Sequence, residues 1–132
     1  MEEIVIKGPN RVGFLADVSE ALGERGINIE SIAAYGEGER AIIKLITNDI
    51  TSTKHALAKF NDIELEEKDV FLVELDNKPG ELAKLTRRLA NKNVNLESVY
   101  VIGGDKDVLK VVVVPSEQDY EKAEDVLARY LE

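Results

Sequence analysis

Slid against itself by 67 positions, the chain matches itself along most of its length. Asn10 meets Asn77, Gly13 meets Gly80, Leu15-Ala16 meets Leu82-Ala83, and Leu22 meets Leu89. Further on, Asn28 meets Asn95, Glu30-Ser31 meets Glu97-Ser98, Gly36 meets Gly103, and Ala56 meets Ala123. Apolar positions keep step as well: Ile4 with Phe71, Ile6 with Val73, Val18 with Leu85, Ile27 with Val94, Ile29 with Leu96, Phe60 with Leu127. A repeat of this period in a 132-residue chain leaves room for two small units of one plan. Their expected spans are 1–68 and 69–132.

Each copy alternates between two periodicities. Ile4-Val5-Ile6 and Val70-Phe71-Leu72-Val73 are β-branched and aromatic runs, the pattern of a buried strand. A polar turn with Gly or Pro follows. Helical spacing then takes over at Phe14, Leu15, Val18 and Leu22, and again at Leu82, Leu85 and Leu89. The helices should stop at Gly26 and Asn93, two residue types that tolerate a left-handed backbone. Second strands are expected over 27–35 and 94–102, and third strands over 41–47 and 108–114. Hairpin turns should fall at Gly36-Glu37-Gly38 and Gly103-Gly104-Asp105. Second helices are expected from about Ser52 to Phe60 and from about Glu117 to Leu131, with Ser116 and Asp119 as a capping pair for the latter. A fourth strand near Ile63 to Glu67 completes β-α-β-β-α-β in the first copy, the ferredoxin-like order. The fold class is therefore α+β, two ferredoxin-like antiparallel sheets with helices on one face, the second unit truncated at its last strand. The sheet edge left open there is expected to be covered by the first copy or by a second subunit.

The net charge of −9 opposes phosphate backbones and anionic lipids, so neither nucleic acid nor membrane is an expected partner. The chain has no cysteine, which excludes disulfides, thiol catalysis and zinc-thiolate sites. The acidic start Met1-Glu2-Glu3 lacks the pattern of a signal peptide, and a cytoplasmic location is expected. The motifs of phosphate-binding loops, serine hydrolases and zinc proteases are missing. No cofactor and no metal are expected. His55, the single histidine, falls in a predicted helix with no catalytic partner in view. Glu64, Glu66, Glu67 and Asp69 read as a solvated face, and Asp105 with Asp107 as turn residues.

The chemistry-bearing pattern is the first strand-to-helix turn. It reads Gly8-Pro9-Asn10-Arg11-Val12-Gly13-Phe14-Leu15 in copy one and Leu75-Asp76-Asn77-Lys78-Pro79-Gly80-Glu81-Leu82 in copy two. A helix start offers free N–H groups and partial positive charge to a carboxylate or phosphate. Glycine there removes the Cβ that would block close approach. Asn10 and Asn77, with Asn28 and Asn95 fifteen residues beyond each glycine, add amides that both donate and accept. Such a set suits a zwitterion, with N–H groups for its carboxylate and an amide oxygen for its ammonium group.

Asp76-Asn77-Lys78-Pro79-Gly80-Glu81-Leu82 followed by Val94-Asn95-Leu96 resembles the signature of ACT domains. The run from Gly8 to Leu15, followed by Gly26-Ile27-Asn28-Ile29, resembles a second signature of that family. The resemblance implies a regulatory, non-catalytic module that binds an amino acid where paired domains meet. It places ligand contacts at Asn10, Gly13, Leu15 and Asn28, and at Asn77, Gly80, Leu82 and Asn95. It further implies a homodimer whose output passes to a separate metabolic enzyme or regulator. Copy one departs from the pattern: Val12 stands where proline is usual before the glycine, and Asn10 where relatives of its kind often have Asp. Gly8 and Leu75 stand where some relatives carry a polar side chain.

Two other readings compete. One is a ligand-independent interaction subunit whose repeat builds a docking surface for an enzyme. The other is an enzyme of the acylphosphatase kind, for which Arg11 and Asn28 supply the residue types in copy one, with Lys78 in the arginine place of copy two.

Overall fold

A computed structural model describes residues 1–131. The chain separates into two compact units, one of Glu2–Lys68 and one running from Asp69 onward together with Met1. The first contains β1 (Glu2–Pro9), α1 (Phe14–Glu24), β2 (Ile29–Glu37), β3 (Arg40–Thr47), α2 (Ile50–Leu57) and β4 (Glu64–Asp69). The second contains β5 (Phe71–Asp76), α3 (Glu81–Asn91), β6 (Leu96–Gly104), β7 (Val108–Pro115) and α4 (Tyr120–Leu127). Single 3-10 turns at Glu117–Asp119 and Ala128–Tyr130 flank α4. The sheets run β2-β3-β1-β4 and β5-β7-β6. This is the α+β plan expected, and among the described residues the second sheet lacks the fourth strand.

Each unit is held by its own apolar core. In the first, Ile4, Ile6, Ile43 and Leu45 from the sheet meet Phe14, Val18 and Leu22 of α1 and Ala56 and Leu57 of α2. In the second, Phe71, Val73, Val111 and Val113 meet Leu85 and Leu89 of α3 and Ala123 and Leu127 of α4. Both helices of a unit therefore cover one face of its sheet. Phe71 also stacks on Tyr120, with ring centroids 4.7 Å apart. No helix among the described residues is long and apolar enough to cross a membrane.

Helix ends follow the expectation closely. Gly26 (φ 69°) and Asn93 (φ 58°) both take the left-handed conformation that ends the helix. Ile27 N–H returns to Leu22 O at 3.1 Å and Gly26 N–H to Gly23 O at 3.0 Å, and Val94 and Asn93 repeat the pattern on Leu89 and Ala90. These paired bonds satisfy carbonyls that the helix leaves open. The second helices differ from expectation. α2 begins at Ile50 because Asp49, whose carboxylate accepts from Ser52 N–H at 3.0 Å, caps it earlier than Ser52. α4 is preceded by a 3-10 turn, and neither Ser116 nor Asp119 caps by its side chain.

The repeat is not gapless in space. Pro9 pairs with Arg40, but Asp76 pairs with Val108, so the third strand of copy two lags by one residue. The hairpin leaves four residues, 105–108, between paired Gly104 and Leu109 where copy one leaves two between Glu37 and Arg40, and a register shift between Val101 and Gly103 brings the net lag to one. There Asp105 accepts from the N–H groups of Asp107 and Val108, which also hold its carboxyl below the usual carboxylate range. A register shift at Glu30, between Ile29 and Ser31, recurs at Glu97, between Leu96 and Ser98. The identity of Glu30-Ser31 with Glu97-Ser98 thus marks a shared bulge at the head of the edge strand.

Two glycines three residues apart should respond oppositely to alanine. Gly23 lies within α1 with open space before it, so Gly23→Ala should stabilise by about 0.5–1 kcal/mol. Gly26→Ala should destabilise by about 1–2 kcal/mol, because the left-handed backbone then carries a Cβ. Urea denaturation of both variants checks the signs.

Candidate functional site

The chain enters α1 and α3 through the same unusual residue. Gly13 (φ 85°, ψ −3°) and Gly80 (φ 86°, ψ −7°) occupy the N-cap in left-handed conformation, and neither helix has a side-chain cap. A Ser, Thr, Asp or Asn at this place would normally fill the first free N–H groups with its own oxygen. Here the N–H groups of Leu15 and Ala16, and of Leu82 and Ala83, have no protein acceptor among the described residues. Nothing stands within 4 Å of where a Cβ would be at Gly13 or Gly80, so the approach is open.

Leu15 and Leu82 do not join the apolar stripe that helical spacing assigned them. They are 43% and 41% exposed, beside the open helix start. The reason is sheet order: β2 and β6 are edge strands, and the helices do not extend over them. On β2, Ile32 and Ala34 pair with Leu45 and Ile43 and so share the helix-covered face, yet both are exposed. Val101 of β6, which pairs with buried Val111, is 55% exposed. Each unit therefore presents an uncovered apolar strip between its helix start and its free edge strand.

In the first unit this strip includes a cavity of about 200 Å³. Asn10, Arg11, Phe14, Leu15, Tyr35 and Gly36 line it, with the backbone stretch 41–43 behind. Arg11 lies over the Phe14 ring, 5.4 Å from its centroid, and pairs with Asp17 at 3.1 Å. That pair leaves the neighbourhood of the free N–H groups without a bare carboxylate. The cavity's walls are mainly apolar, and its polar groups collect at the helix start.

The four asparagines divide into two kinds. Asn10 Nδ2 donates to Gly38 O at 3.0 Å, and Asn77 Nδ2 donates to Asp105 O at 2.7 Å. Each turn is thereby tied to the hairpin beside it, and a Cβ on Gly36 would come within 2.6 Å of Asn10 Nδ2. Because the nitrogen faces a carbonyl, Oδ1 is turned away and keeps its acceptor capacity. Asn28 and Asn95 lie at the opposite end of their units, beside Asn48 and Asp119. The expectation that the two amides of one copy flank a common space is thus corrected: a nine-residue edge strand of about 30 Å separates them.

Asn28 and Asn95 also differ from each other. Asn28 donates its backbone N–H to Asn48 Oδ1 at 3.2 Å, while its own amide has no protein partner among the described residues. Asn95 Nδ2 donates to Ser116 Oγ at 2.7 Å, and its backbone N–H to Asp119 Oδ2 at 2.9 Å. Ser116 and Asp119, expected to cap the last helix, instead hold the start of β6. The Asn95 N–H first, and then Lys122, keep the Asp119 carboxyl below its ordinary range.

The remaining candidates take no part in these turns. His55 is exposed on α2, and Glu64, Glu66 and Glu67 are exposed on β4. No group of three or more His, Asp or Glu placed to hold a metal occurs among the described residues. Phe14 and Tyr35, as cavity walls, and the Ser116–Asp119 tie were not singled out as site residues from sequence. Tyr35 carried a signal shared with Tyr100, since the sequence reads both as half-buried anchors or interface aromatics.

Comparison with known proteins agrees with the geometry. The sequence profile described as "ACT domain" matches residues 3–65 and again 70–132. A search of curated proteins gives no match. Among solved structures, a protein from Bacteroides thetaiotaomicron is 28% identical, over 97% of this chain and 86% of that one, with a TM-score of 0.83. The regulatory subunit of aspartate kinase from Thermus thermophilus, in ligand-free form, is 21% identical over 99% of this chain and 93% of that one, with a TM-score of 0.68. The corresponding subunit from Thermus flavus is 20% identical over 97% and 90%, with a TM-score of 0.64.

Asp119 generates a pH prediction. Its folded pKa lies below its unfolded value, so its contribution is present above about pH 4 and is lost as pH falls through the folded pKa. Asp119→Asn should lower the urea midpoint at neutral pH. The gap to the parent protein should narrow as pH falls through the folded pKa.

Proposed function

The chain belongs to the ACT domain family, both of its halves matching, and from that premise we propose that it is a non-catalytic sensor that binds an amino acid and passes the signal to a separate enzyme. The observation that carries this reading is the first unit's open helix start: free N–H groups at Leu15 and Ala16, the outward Oδ1 of Asn10, and a cavity beside them. Two N–H groups and a helix dipole suit a carboxylate, and an amide oxygen suits an ammonium group. Regulatory subunits of aspartate kinase carry the same fold, which supports a regulatory role in amino-acid metabolism.

We further propose how Asn28 enters the site. It is too far from Asn10 within one unit. β2 is an unpaired edge with exposed Ile32 and Tyr35, a surface that invites another strand. If β2 pairs antiparallel with the same strand of a second copy, the head of one β2 lies beside the tail of the other. Asn28 of one copy then faces the helix start of its neighbour, and the ligand closes the joint. A homodimer is the simplest such assembly. The first unit is the binding half in this reading, because the cavity lies beside its helix start and the Asn28 side-chain amide has no protein partner among the described residues, whereas Asn95 Nδ2 is held by Ser116. Gly80, Leu82 and Asn77 then serve chiefly to shape their turn.

The exposed strip of Leu15, Ile32 and Ala34 also suits the ligand-independent alternative, in which an enzyme docks there directly. Thermal shift and calorimetry against the amino acids separate the two. The sensor reading expects one or a few amino acids to raise the melting temperature, by mass action on the folded state. Asn28→Ala should weaken that binding about tenfold or more, whereas Asn95→Ala should leave it near its original value. Ile32→Arg should abolish both the dimer, read by light scattering, and the ligand response. No response to any amino acid at millimolar concentration would remove the sensor reading and leave the docking one.

A further inference from the structure

We infer that the groove between α3 and α4 of the second unit binds a small phosphate-bearing anion. The cavity there holds about 440 Å³, within the range of small-molecule sites. Arg88 and Lys92 line it from α3. Lys122 and Arg129 line it from α4 and the 3-10 turn beyond, and Val126 contributes an apolar wall. Among the described residues Asp125 is the one carboxylate in the lining against four cations, of which Lys122 is also paired with Asp119. That excess stands out in a chain of net charge −9. Basic residues at a helix C-terminus complement its dipole, and Arg88, Lys92 and Arg129 all lie at such ends, which gives each a local reason but not one for their meeting at a single cavity. Arg88 and Lys92, four residues apart on one helix, repel each other.

Two of the cations are held in place. Arg88 donates to the Tyr130 hydroxyl and lies over that ring, 5.7 Å from its centroid, leaving other guanidinium N–H groups free. Lys122 reaches Asn93 O and Asp119 Oδ1, each at 3.1 Å. Lys92 and Arg129 have no carboxylate partner among the described residues. Arg88, fixed by Tyr130, converges on one cavity with the unneutralised Lys92 and Arg129, an arrangement that suits charge-assisted bonds to phosphate oxygens, while Lys122 is already engaged by Asp119.

The first unit provides an internal control. At the positions that align with Arg88, Lys92, Lys122 and Arg129 it has Ala21, Arg25, His55 and Asp62. At the Asn91 and Val126 positions it has Glu24 and Lys59, which lie 4.0 Å apart as an ion pair. The same two-helix joint is thus built without a cation excess, so the fold does not demand one. The groove lies away from the α3 start, and its occupation is independent of amino-acid binding at the first unit.

Calorimetry and thermal shift with inorganic diphosphate, at constant ionic strength, test the assignment. Binding is expected in the full chain and should weaken about tenfold or more in Lys92→Gln/Arg129→Gln. The matching changes in the first unit, Arg25→Gln/His55→Gln, should leave it unchanged. Circular dichroism of each variant checks that the fold persists. The assignment is overturned if diphosphate does not bind at millimolar concentration, if the α3–α4 variant binds it as well as the parent, or if sulfate binds equally. Capture of a polyglutamate peptide without diphosphate would also overturn it. The amino-acid response of the α3–α4 variant reports separately on the sensor reading.

Discussion

A helix must begin somewhere, and its first N–H groups must find partners or stay open to solvent. This chain begins α1 and α3 with a left-handed glycine and no side-chain cap. That choice forgoes about a few tenths of a kcal/mol relative to a capping side chain. The start of α2, by contrast, is capped by Asp49. In this chain the uncapped starts of α1 and α3 carry a left-handed glycine, whereas α2 is capped by a side chain and α4 is led in by a 3-10 turn. Much else depends on that difference. The asparagine bond to the hairpin fixes where the open start points, and the exposed leucine beside it marks a surface that the unit does not cover by itself.

Sheet order supplies the second constraint. With β2 and β6 at the edges, the two helices of each unit cover the other strands and leave an apolar strip beside each helix start. An edge strand with exposed Ile32 and Tyr35, and without a charged or proline residue between Ser31 and Gly36, is poorly protected against pairing. The separation of Asn10 from Asn28 within a unit follows from the same order, because the edge strand's length lies between them. Within one unit the two amides therefore cannot meet on one small ligand.

How much of this the sequence disclosed depended on the range of the interaction. The repeat, the strand and helix periods, and the left-handed stops at Gly26 and Asn93 are local signals, and the structure follows them. Leu15 and Leu82 misled because helical spacing identifies a stripe without saying whether a sheet lies under all of it. Ser116 and Asp119 fit a capping pattern that sequence alone could not distinguish from their use on Asn95, 21 and 24 residues away. The one-residue lag of β7 was hidden because the loop after it restores the register, so Ala56 still aligns with Ala123. The four asparagines were visible as residues. Their pairing was not, because it depends on which end of the sheet each occupies.

Comparison of the two copies separates what the fold needs from what has been added to it. The glycine at the helix start, the asparagine tie to the hairpin and the bulge before the edge strand occur in both, as parts of the shared scaffold. The differences are informative for the opposite reason. Asn28 keeps its amide free while Asn95 is bound to Ser116, and Phe14 with Arg11 builds a cavity wall where copy two has Glu81 and Lys78. On the helix side the bias reverses: the second unit collects cations where the first is balanced. Duplication relaxes the demand that one unit do everything, and the two copies differ on different faces: in charge at the helix pair, and in the engagement of the amide at the head of the edge strand.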